Sequence, residues 1–161
     1  MDSQTTISTI LSQFRQDHPD GFAIALHIKF TAPRYLFQAY DSEWIETYSR
    51  EGLVLRDPTV RWGFANTGTI RWSVLAETDS AGVLARAAQH GLRYGATLAL
   101  DSDGSRSVAS FANAERELTD PEIATLARRL DELHRLTRGI ETLTPRFHET
   151  LKQLSIFLTR G

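Results

Sequence analysis

The stretch FAIALHIKF (Phe22–Phe30), with YLFQA (Tyr35–Ala39) shortly after it, contains the pattern that decides the fold. Large apolar side chains alternate with small or polar ones, which is the two-residue period of a half-buried β-strand. On this period one face is predicted to carry Phe22, Ile24, Leu26, Ile28 and Phe30. Only Thr31–Arg34 separates the two segments, so we expect an antiparallel hairpin with its turn at Pro33.

A second hairpin is predicted at Ala96–Leu100 and Ser107–Ala112, joined by the turn sequence DSDG at Asp101–Gly104. A further strand is expected near Thr69–Trp72, within a stretch (Asp57–Trp72) that has no clear period. Helices are predicted from apolar spacing at Ser3–Gln16, Ser42–Glu51, Ser80–Gln89, Pro121–Leu136 and after Pro145. This order predicts an α+β fold: an α-β-α sandwich with a central antiparallel sheet of about five strands, covered by helices on both faces.

The composition is that of one ordinary globular domain. The chain has 161 residues, a net charge of −2 and no cysteine. It therefore lacks disulfides, thiolate catalysis and a general attraction to DNA or anionic membranes. The N-terminus has no signal-peptide pattern, and no apolar run approaches the ~20 residues of a membrane span. The expected location is cytoplasmic, without membrane contact.

Signatures of an enzyme are scarce. The five histidines are scattered and form no His-x-x-x-His pair; they are His18, His27, His90, His134 and His148. Neither a Gly-x-Ser-x-Gly motif nor a phosphate-binding glycine loop occurs. We therefore predict no catalytic residue, no metal site and no cofactor.

The segment YDSEWIETYSREGLVLRDPTV (Tyr40–Val60) is the most informative for function. Tyr40, Trp44 and Tyr48 are four residues apart, so a helix would place all three rings on one face. Such a stripe usually forms core, and Asp57 before a proline is also a common helix cap. Tyr and Trp, however, carry polar atoms that need partners when buried. A pocket with apolar walls and a few oriented donors would use the same residues.

The joint spacing of these residues resembles the autoinducer-binding domain of LuxR-type quorum-sensing regulators. The matching pattern is Tyr-x3-Trp-x3-Tyr-x3-Gly-x4-Asp-Pro, with Trp72 fifteen residues after Asp57. The segment GLRYGATLAL (Gly91–Leu100) resembles that family's Gly-Leu-x-x-Gly-x-Thr strand entry. The resemblance covers about residues 5–140 and implies that residues 1–140 form a non-enzymatic domain that encloses an N-acyl-homoserine lactone.

The resemblance also implies a role for individual residues. Such a lactone offers one amide N–H, two carbonyls and an apolar tail, so its pocket needs an acceptor, two or more donors and an apolar sleeve. By resemblance, Asp57 accepts from the amide N–H, and Trp44 donates to the lactone carbonyl. Tyr40 and Ser110 donate to the amide carbonyl, and Thr59 supports Asp57. The packing residues implied are Tyr48 and Trp72, and the sleeve candidates are Leu36, Val54 and Val60.

The chain departs from the family pattern in places. Asp41 stands where proline is usual, and Ser107 stands where glycine is common. The loop before Ser107 is one residue shorter than the pattern. A one-residue slip would turn Ser110 to the other face of the sheet, so its register is the open point.

Residues 141–161 are predicted to form a linker and the truncated start of a helix-turn-helix domain, because LTPRFHETLKQL (Leu143–Leu154) resembles its first helix. Without a recognition helix, this chain alone is not expected to bind DNA specifically. By resemblance, Pro121–Ile140 would mediate a homodimer, or a heterodimer with a full-length LuxR-type regulator that the chain would antagonise. Two alternatives remain open: a lactone-modifying enzyme, and a GAF- or PAS-like module that binds another ligand or works by protein contacts alone.

Overall fold

A computed structural model describes residues 3–30 and 32–139, which form a five-stranded sheet with helices on both faces. The helices are α1 (Ser3–Asp17), α2 (Ser42–Arg50), α3 (Pro58–Ala65), α4 (Trp72–Leu75), α5 (Val83–Ala88) and α6 (Asp120–Leu136). The strands are β1 (Phe22–Lys29), β2 (Ala32–Gln38), β3 (Gly68–Arg71), β4 (Tyr94–Ser102) and β5 (Ser105–Asn113). Short 3₁₀ helices cover Leu53–Arg56 and Ala76–Thr78.

The strands are antiparallel and lie in the order β2-β1-β5-β4-β3. The predicted α+β sandwich is therefore confirmed, including both hairpins and the extra strand at β3. The second hairpin is longer than predicted. Asp103 and Gly104 both have positive φ, 54° and 77°, so the strands continue to a two-residue turn instead of stopping at a four-residue loop.

Each face of the sheet has its own core. On one face, α1 and α6 cover large side chains such as Phe22, Ile24 and Phe111, all of them fully buried. On the other face, α2, α4 and α5 surround a smaller cluster that includes Trp44 and Trp72. The alternation in β1 explains this division, because its large residues point to the first core while Ala23 and Ala25 point to the second face.

The predicted alternation in β1 is wrong beyond Leu26. His27 has a φ of 56°, and the pairing of β1 with β5 shifts register between Ala25 and Ile28, which is a β-bulge. The extra residue moves Ile28 to the opposite face from Leu26, and Phe30 is 91% exposed. His27 itself is buried.

Several predicted boundaries also differ from the structure. Pro33 lies within β2 and pairs with Ile28, instead of forming the turn. The sheet tolerates a proline here because β2 is an edge strand, where the missing N–H need not bond to a neighbouring strand. The unassigned stretch after Asp57 contains α3, whose first residue is Pro58. Helix α5 begins at Val83, not at Ser80, because Gly82 adopts a left-handed φ of 69° just before it. The helix predicted after Pro145 lies outside the described residues.

Helix α6 begins where the sequence places a cap. The Thr119 side chain accepts from the backbone N–H of Glu122, whose side chain accepts from the backbone N–H of Thr119. This reciprocal pair satisfies two helix-end donors. Among the described residues, no helix is both long and apolar enough to cross a bilayer.

Two histidines are buried between the β1 bulge and the end of α6. The rings of His27 and His134 lie 4.4 Å apart. His27 Nδ1 lies 2.7 Å from Ser105 Oγ and Nε2 lies 2.9 Å from Thr137 Oγ1, while His134 Nδ1 lies 2.7 Å from Ser107 Oγ. Burial, the neighbouring His134 and the positive charge of Arg34 lower the pKa of His27 to about 4. Burial also lowers the pKa of His134, against the opposing charges of Asp131 and Asp101.

We therefore expect stability to fall on mild acidification. Below about pH 6.5 the unfolded chain binds protons that these buried rings do not, so the free energy of unfolding decreases as pH falls towards about 4, by about 1 kcal/mol at pH 5.5 for His27. Urea unfolding at about pH 7.5 and 5.5 measures this loss. The double variant His27→Gln/His134→Gln should lose the part of the pH dependence that these two rings cause and keep that of His18, whose pKa burial also lowers, whereas His90→Gln should keep all of it. An equal slope in the double variant and the wild type would contradict this assignment.

A ligand cavity between the sheet and helices α2 to α5

A cavity of about 270 Å³ lies between the second face of the sheet and the surrounding helices. Its floor is formed by side chains of the central strands, Ala23 and Ala25 of β1 with Val108 and Ser110 of β5. Because both β1 positions are alanines, they leave a trough that larger residues would fill. The walls come mainly from α2, α3, α5 and the 3₁₀ turn at Leu53–Arg56.

Asp57 supplies the carboxylate of this cavity. Its side chain caps α3 by accepting from the backbone N–H of Thr59 at 2.8 Å, and the same oxygen accepts from the Thr59 hydroxyl at 2.7 Å. The other oxygen accepts from the Tyr48 hydroxyl at 2.7 Å. Asp57 is only 8% exposed, so these three donors offset the cost of burying its charge. Each carboxylate oxygen takes about two hydrogen bonds, which leaves the oxygen facing Tyr48 able to accept one more.

The two tyrosines beside this carboxylate remain protonated. Burial, followed by the negative charge of Asp57, raises the pKa of Tyr40 and that of Tyr48. Tyr40 donates to the backbone carbonyl of Ser110 at 3.3 Å, a long bond that another acceptor could replace. Tyr48 is committed to Asp57, so it orients the carboxylate in addition to lining the wall.

A chain of hydrogen bonds sets the orientation of Ser110. The Trp72 indole N–H donates to Thr97 Oγ1 at 3.0 Å, and Thr97 Oγ1 lies 2.7 Å from Ser110 Oγ. Because an indole N–H can only donate, the Thr97 hydroxyl accepts from Trp72. The Thr97 hydroxyl hydrogen is then free to donate to Ser110 Oγ. Ser110 can then direct its hydroxyl hydrogen into the cavity. Ser110 pairs with Ala23 and Thr97 across the sheet, which fixes the register that the sequence leaves open.

Trp44 contributes a donor that the protein does not use. Its backbone N–H donates to the Asp41 cap, and its ring contacts Tyr48 and His90 at centroid distances of 5.8 and 5.3 Å. The ring is only 4% exposed, yet its indole N–H has no acceptor within the described part of the chain. A bound ligand could accept this hydrogen bond.

The remaining wall is apolar and reaches solvent. Leu36, Val54 and Phe64 all line the cavity and are 38%, 47% and 42% exposed. Of the strand residues in this wall, Ile28, Pro33 and Leu36 lie towards the turn of the first hairpin, away from Tyr40. The cavity thus has a polar end at Tyr40 and Ser110 and an apolar mouth.

All ten residues predicted from the sequence to form the binding site line this one cavity. Their roles in binding remain predictions. They are Leu36, Tyr40, Trp44, Tyr48, Val54, Asp57, Thr59, Val60, Trp72 and Ser110. Two further residues are not predicted from the sequence: Thr97, which lies in the motif Gly91–Leu100 and bonds to Ser110, and Gln38, which lines the cavity. Both lie on alternate positions of strands whose inward face the sequence alone left unassigned.

A group of possible metal ligands lies outside this cavity. Asp41, Glu43 and His90 bring ligand atoms within 4.8 Å of one another, a proximity that their positions along the chain do not reveal. Asp41 already caps α2 and lies 3.2 Å from His90 Nδ1, and both acidic residues are exposed. The geometry is therefore accounted for by contacts within the protein.

A sheet with a partly closed cavity on one face, an apolar mouth and oriented polar groups at the far end defines a small-molecule-binding domain. The family model for the autoinducer-binding domain matches residues 13–138. The chain therefore belongs to the autoinducer-binding domain family of LuxR-type quorum-sensing regulators, which is a family of ligand-binding domains and not of enzymes.

Individual relatives agree with this assignment. The transcriptional activator protein SolR of Ralstonia nicotianae is 27% identical over 106 residues, which cover 65% of this chain and 45% of SolR. The structure of SdiA, a protein of Escherichia coli, in complex with octanoyl-rac-glycerol has a TM-score of 0.62 at 20% identity, over 90% of this chain and 64% of SdiA. CepR2 of Burkholderia cenocepacia, an N-acylhomoserine lactone-dependent LuxR family factor, has a TM-score of 0.57 at 17% identity, over 85% of this chain and 94% of CepR2. The chain thus spans less than half of the curated relative, and the two structures support the fold alone.

Proposed function

We propose that this domain is a quorum-sensing receptor module that binds an N-acyl-homoserine lactone in the cavity on the second face of its sheet. The observation that carries the proposal is the pairing of one buried carboxylate, Asp57, with an unused indole donor, Trp44, at the polar end of an apolar trough. The ligand would lie with its lactone ring near Trp44 and its acyl chain towards Leu36 and Val54.

The hydrogen-bonding capacity of the site supports this ligand class. Asp57 has acceptor capacity left for one amide N–H, after three bonds from Thr59 and Tyr48. Trp44, Tyr40 and Ser110 provide donors for two carbonyls. Trp72 would pack against the ligand and hold Ser110 through Thr97. An acyl-homoserine lactone has the complementary set of one donor, two carbonyl acceptors and a tail.

A second ligand class also deserves a test, because the structure of SdiA contains octanoyl-rac-glycerol. An acylglycerol has hydroxyl groups in place of the amide N–H and could also donate to Asp57. A thermal-shift panel of acyl-homoserine lactones of increasing chain length, with octanoylglycerol and the hydrolysed acyl-homoserines, separates the classes, since a ligand that binds only the native state raises the melting temperature. Mass spectrometry of the recovered ligand distinguishes binding of the intact lactone from its hydrolysis. A larger shift with the acylglycerol than with every lactone would contradict the proposal.

We expect Trp44→Phe to weaken lactone binding by about 0.5–1.5 kcal/mol, the contribution of one neutral hydrogen bond. Phenylalanine keeps an aromatic ring beside Tyr48 but removes the only indole donor at this position. Isothermal titration of the wild type and the variant with one lactone measures the difference in affinity. A homoserine lactam of the same chain length keeps the ring carbonyl, so Trp44→Phe should weaken its binding by a similar amount. An affinity equal to that of the wild type would place the ring carbonyl elsewhere.

Transcriptional regulation through this domain would involve association with another protein chain. We propose that α6 mediates association with a second copy or with a full-length LuxR-type regulator, and that the domain acts in the cytoplasm. Substitutions on the exposed face of α6, at positions other than its buried residues, would test this association.

A further inference from the structure

Gln38 is a polar residue of the cavity that has no part in the proposed contacts with the lactone. It occupies the last position of β2, on the same face as Leu36, and lines the cavity. Its neighbours in the strand, Phe37 and Ala39, face the opposite side, where Phe37 is fully buried in the first core. An amide at this position therefore faces the space that the ligand would fill.

The sheet register places Gln38 opposite the polar end of the trough. Gln38 pairs with Ala23, Ala23 pairs with Ser110, and Ser110 pairs with Thr97, so these four residues form one row across the sheet. Only the methyl group of Ala23 separates Gln38 from Ser110, over a distance of about 10 Å between their backbones. A ligand lying over Ala23 would contact Ser110 on one side and Gln38 on the other.

Gln38 also differs from the other polar groups of this wall in having no partner. Asp57, Thr59, Tyr48, Tyr40, Thr97 and Ser110 all have side-chain hydrogen bonds within the protein. The side-chain amide of Gln38 has none in residues 3–30 and 32–139. A half-buried amide beside alanine and leucine is costly unless something bonds to it.

We propose that Gln38 recognises an oxygen substituent on the acyl chain, near the ligand's amide. This inference rests on the proposed function, and it narrows the ligand class to lactones with a 3-oxo or 3-hydroxy group. The amide of glutamine offers both a donor and an acceptor, so it can bond to a ketone or to a hydroxyl. An unsubstituted chain would leave the amide without a partner when the ligand displaces water.

The test uses three lactones with the same eight-carbon chain: unsubstituted, 3-oxo and 3-hydroxy. We expect the wild-type domain to bind at least one substituted lactone roughly five- to tenfold more tightly than the unsubstituted one, the ratio that a single hydrogen bond supports. Gln38→Met keeps the length of the side chain and removes its polar atoms. It should bring the ratio close to one, mainly by strengthening binding of the unsubstituted lactone.

Gln16→Met is the matched control, because it makes the same chemical change at an exposed residue of α1, outside the cavity lining, and should leave the ratio unchanged. Melting of the unliganded variants checks that they fold. The inference is overturned if the wild-type ratio is one, or if the preference persists in Gln38→Met. If Gln38→Met does not fold, the wild-type ratio alone decides. If no lactone binds the wild type at all, the proposed function fails, whereas lactone binding without this preference overturns only the role of Gln38.

Discussion

Asp57→Ala should weaken lactone binding by roughly 10- to 150-fold, which corresponds to a charge-assisted hydrogen bond of about 1.5–3 kcal/mol. The substitution removes the proposed acceptor of the amide N–H. It also leaves the hydroxyls of Tyr48 and Thr59 without their acceptor. Isothermal titration with one lactone at fixed salt measures the change.

Two controls separate this loss of binding from a loss of stability. Asp57 also caps α3, so the alanine variant should lose about 1 kcal/mol of folding free energy. Asp57→Asn retains a good capping residue while removing the charge. Its affinity for the lactone should therefore stay below that of the wild type although its stability is largely kept. Thr119→Ala removes the cap of α6, outside the cavity lining, and should lose similar stability without losing affinity. Wild-type affinity in both Asp57 variants would refute the assigned acceptor.

Gly95→Ala should destabilise the domain by about 2–3 kcal/mol and weaken ligand binding as well. A Cβ at Gly95 would lie 2.5 Å from two ring atoms, Cδ2 and Cε2, of Trp72. The indole N–H is bonded to Thr97, so a shift of the ring away from the new Cβ would strain that bond. Displacing the ring would therefore break the chain of hydrogen bonds that orients Ser110.

Double-mutant analysis identifies the clash as the cause. Trp72→Phe shortens the side chain and should tolerate alanine at position 95, so the double variant should be more stable than the sum of the single effects by at least about 0.5 kcal/mol. Urea unfolding gives the four free energies. Strict additivity would mean that Gly95→Ala acts through the β4 backbone and not through Trp72.

The parts of the fold that could be predicted are those encoded by local sequence. The two hairpins follow from alternating side chains and short connections, and α6 follows from the apolar spacing along Pro121–Leu136. The bulge at His27 could not be predicted, because its positive φ is stabilised by distant partners: Ser105, Ser107 and Thr137. No pattern within β1 indicates those contacts. The prediction that Ile28 and Phe30 lie on the same face as Leu26 is therefore wrong.

The same distinction holds for the cavity. Many of its lining residues belong to one short segment of sequence, Tyr40–Val60. The spacing of Tyr40, Trp44 and Asp57 within that segment is enough to predict that they lie near one another. Thr97 and Gln38 come from different strands, and they lie on the cavity side of the sheet only because the register of β2, β1, β5 and β4 brings them into one row. Long-range register is not encoded in a local pattern. The binding roles of all these residues stay predictions.

A crystal structure of the domain with a bound acyl-homoserine lactone would show the ligand contacts themselves. We expect a ligand over Ala23 and Ala25, with its amide nitrogen within about 3 Å of an Asp57 carboxylate oxygen and its ring carbonyl at the same distance from the Trp44 indole nitrogen. A lactone bound elsewhere on the domain, or one in this cavity whose amide contacts neither group, would contradict this expectation.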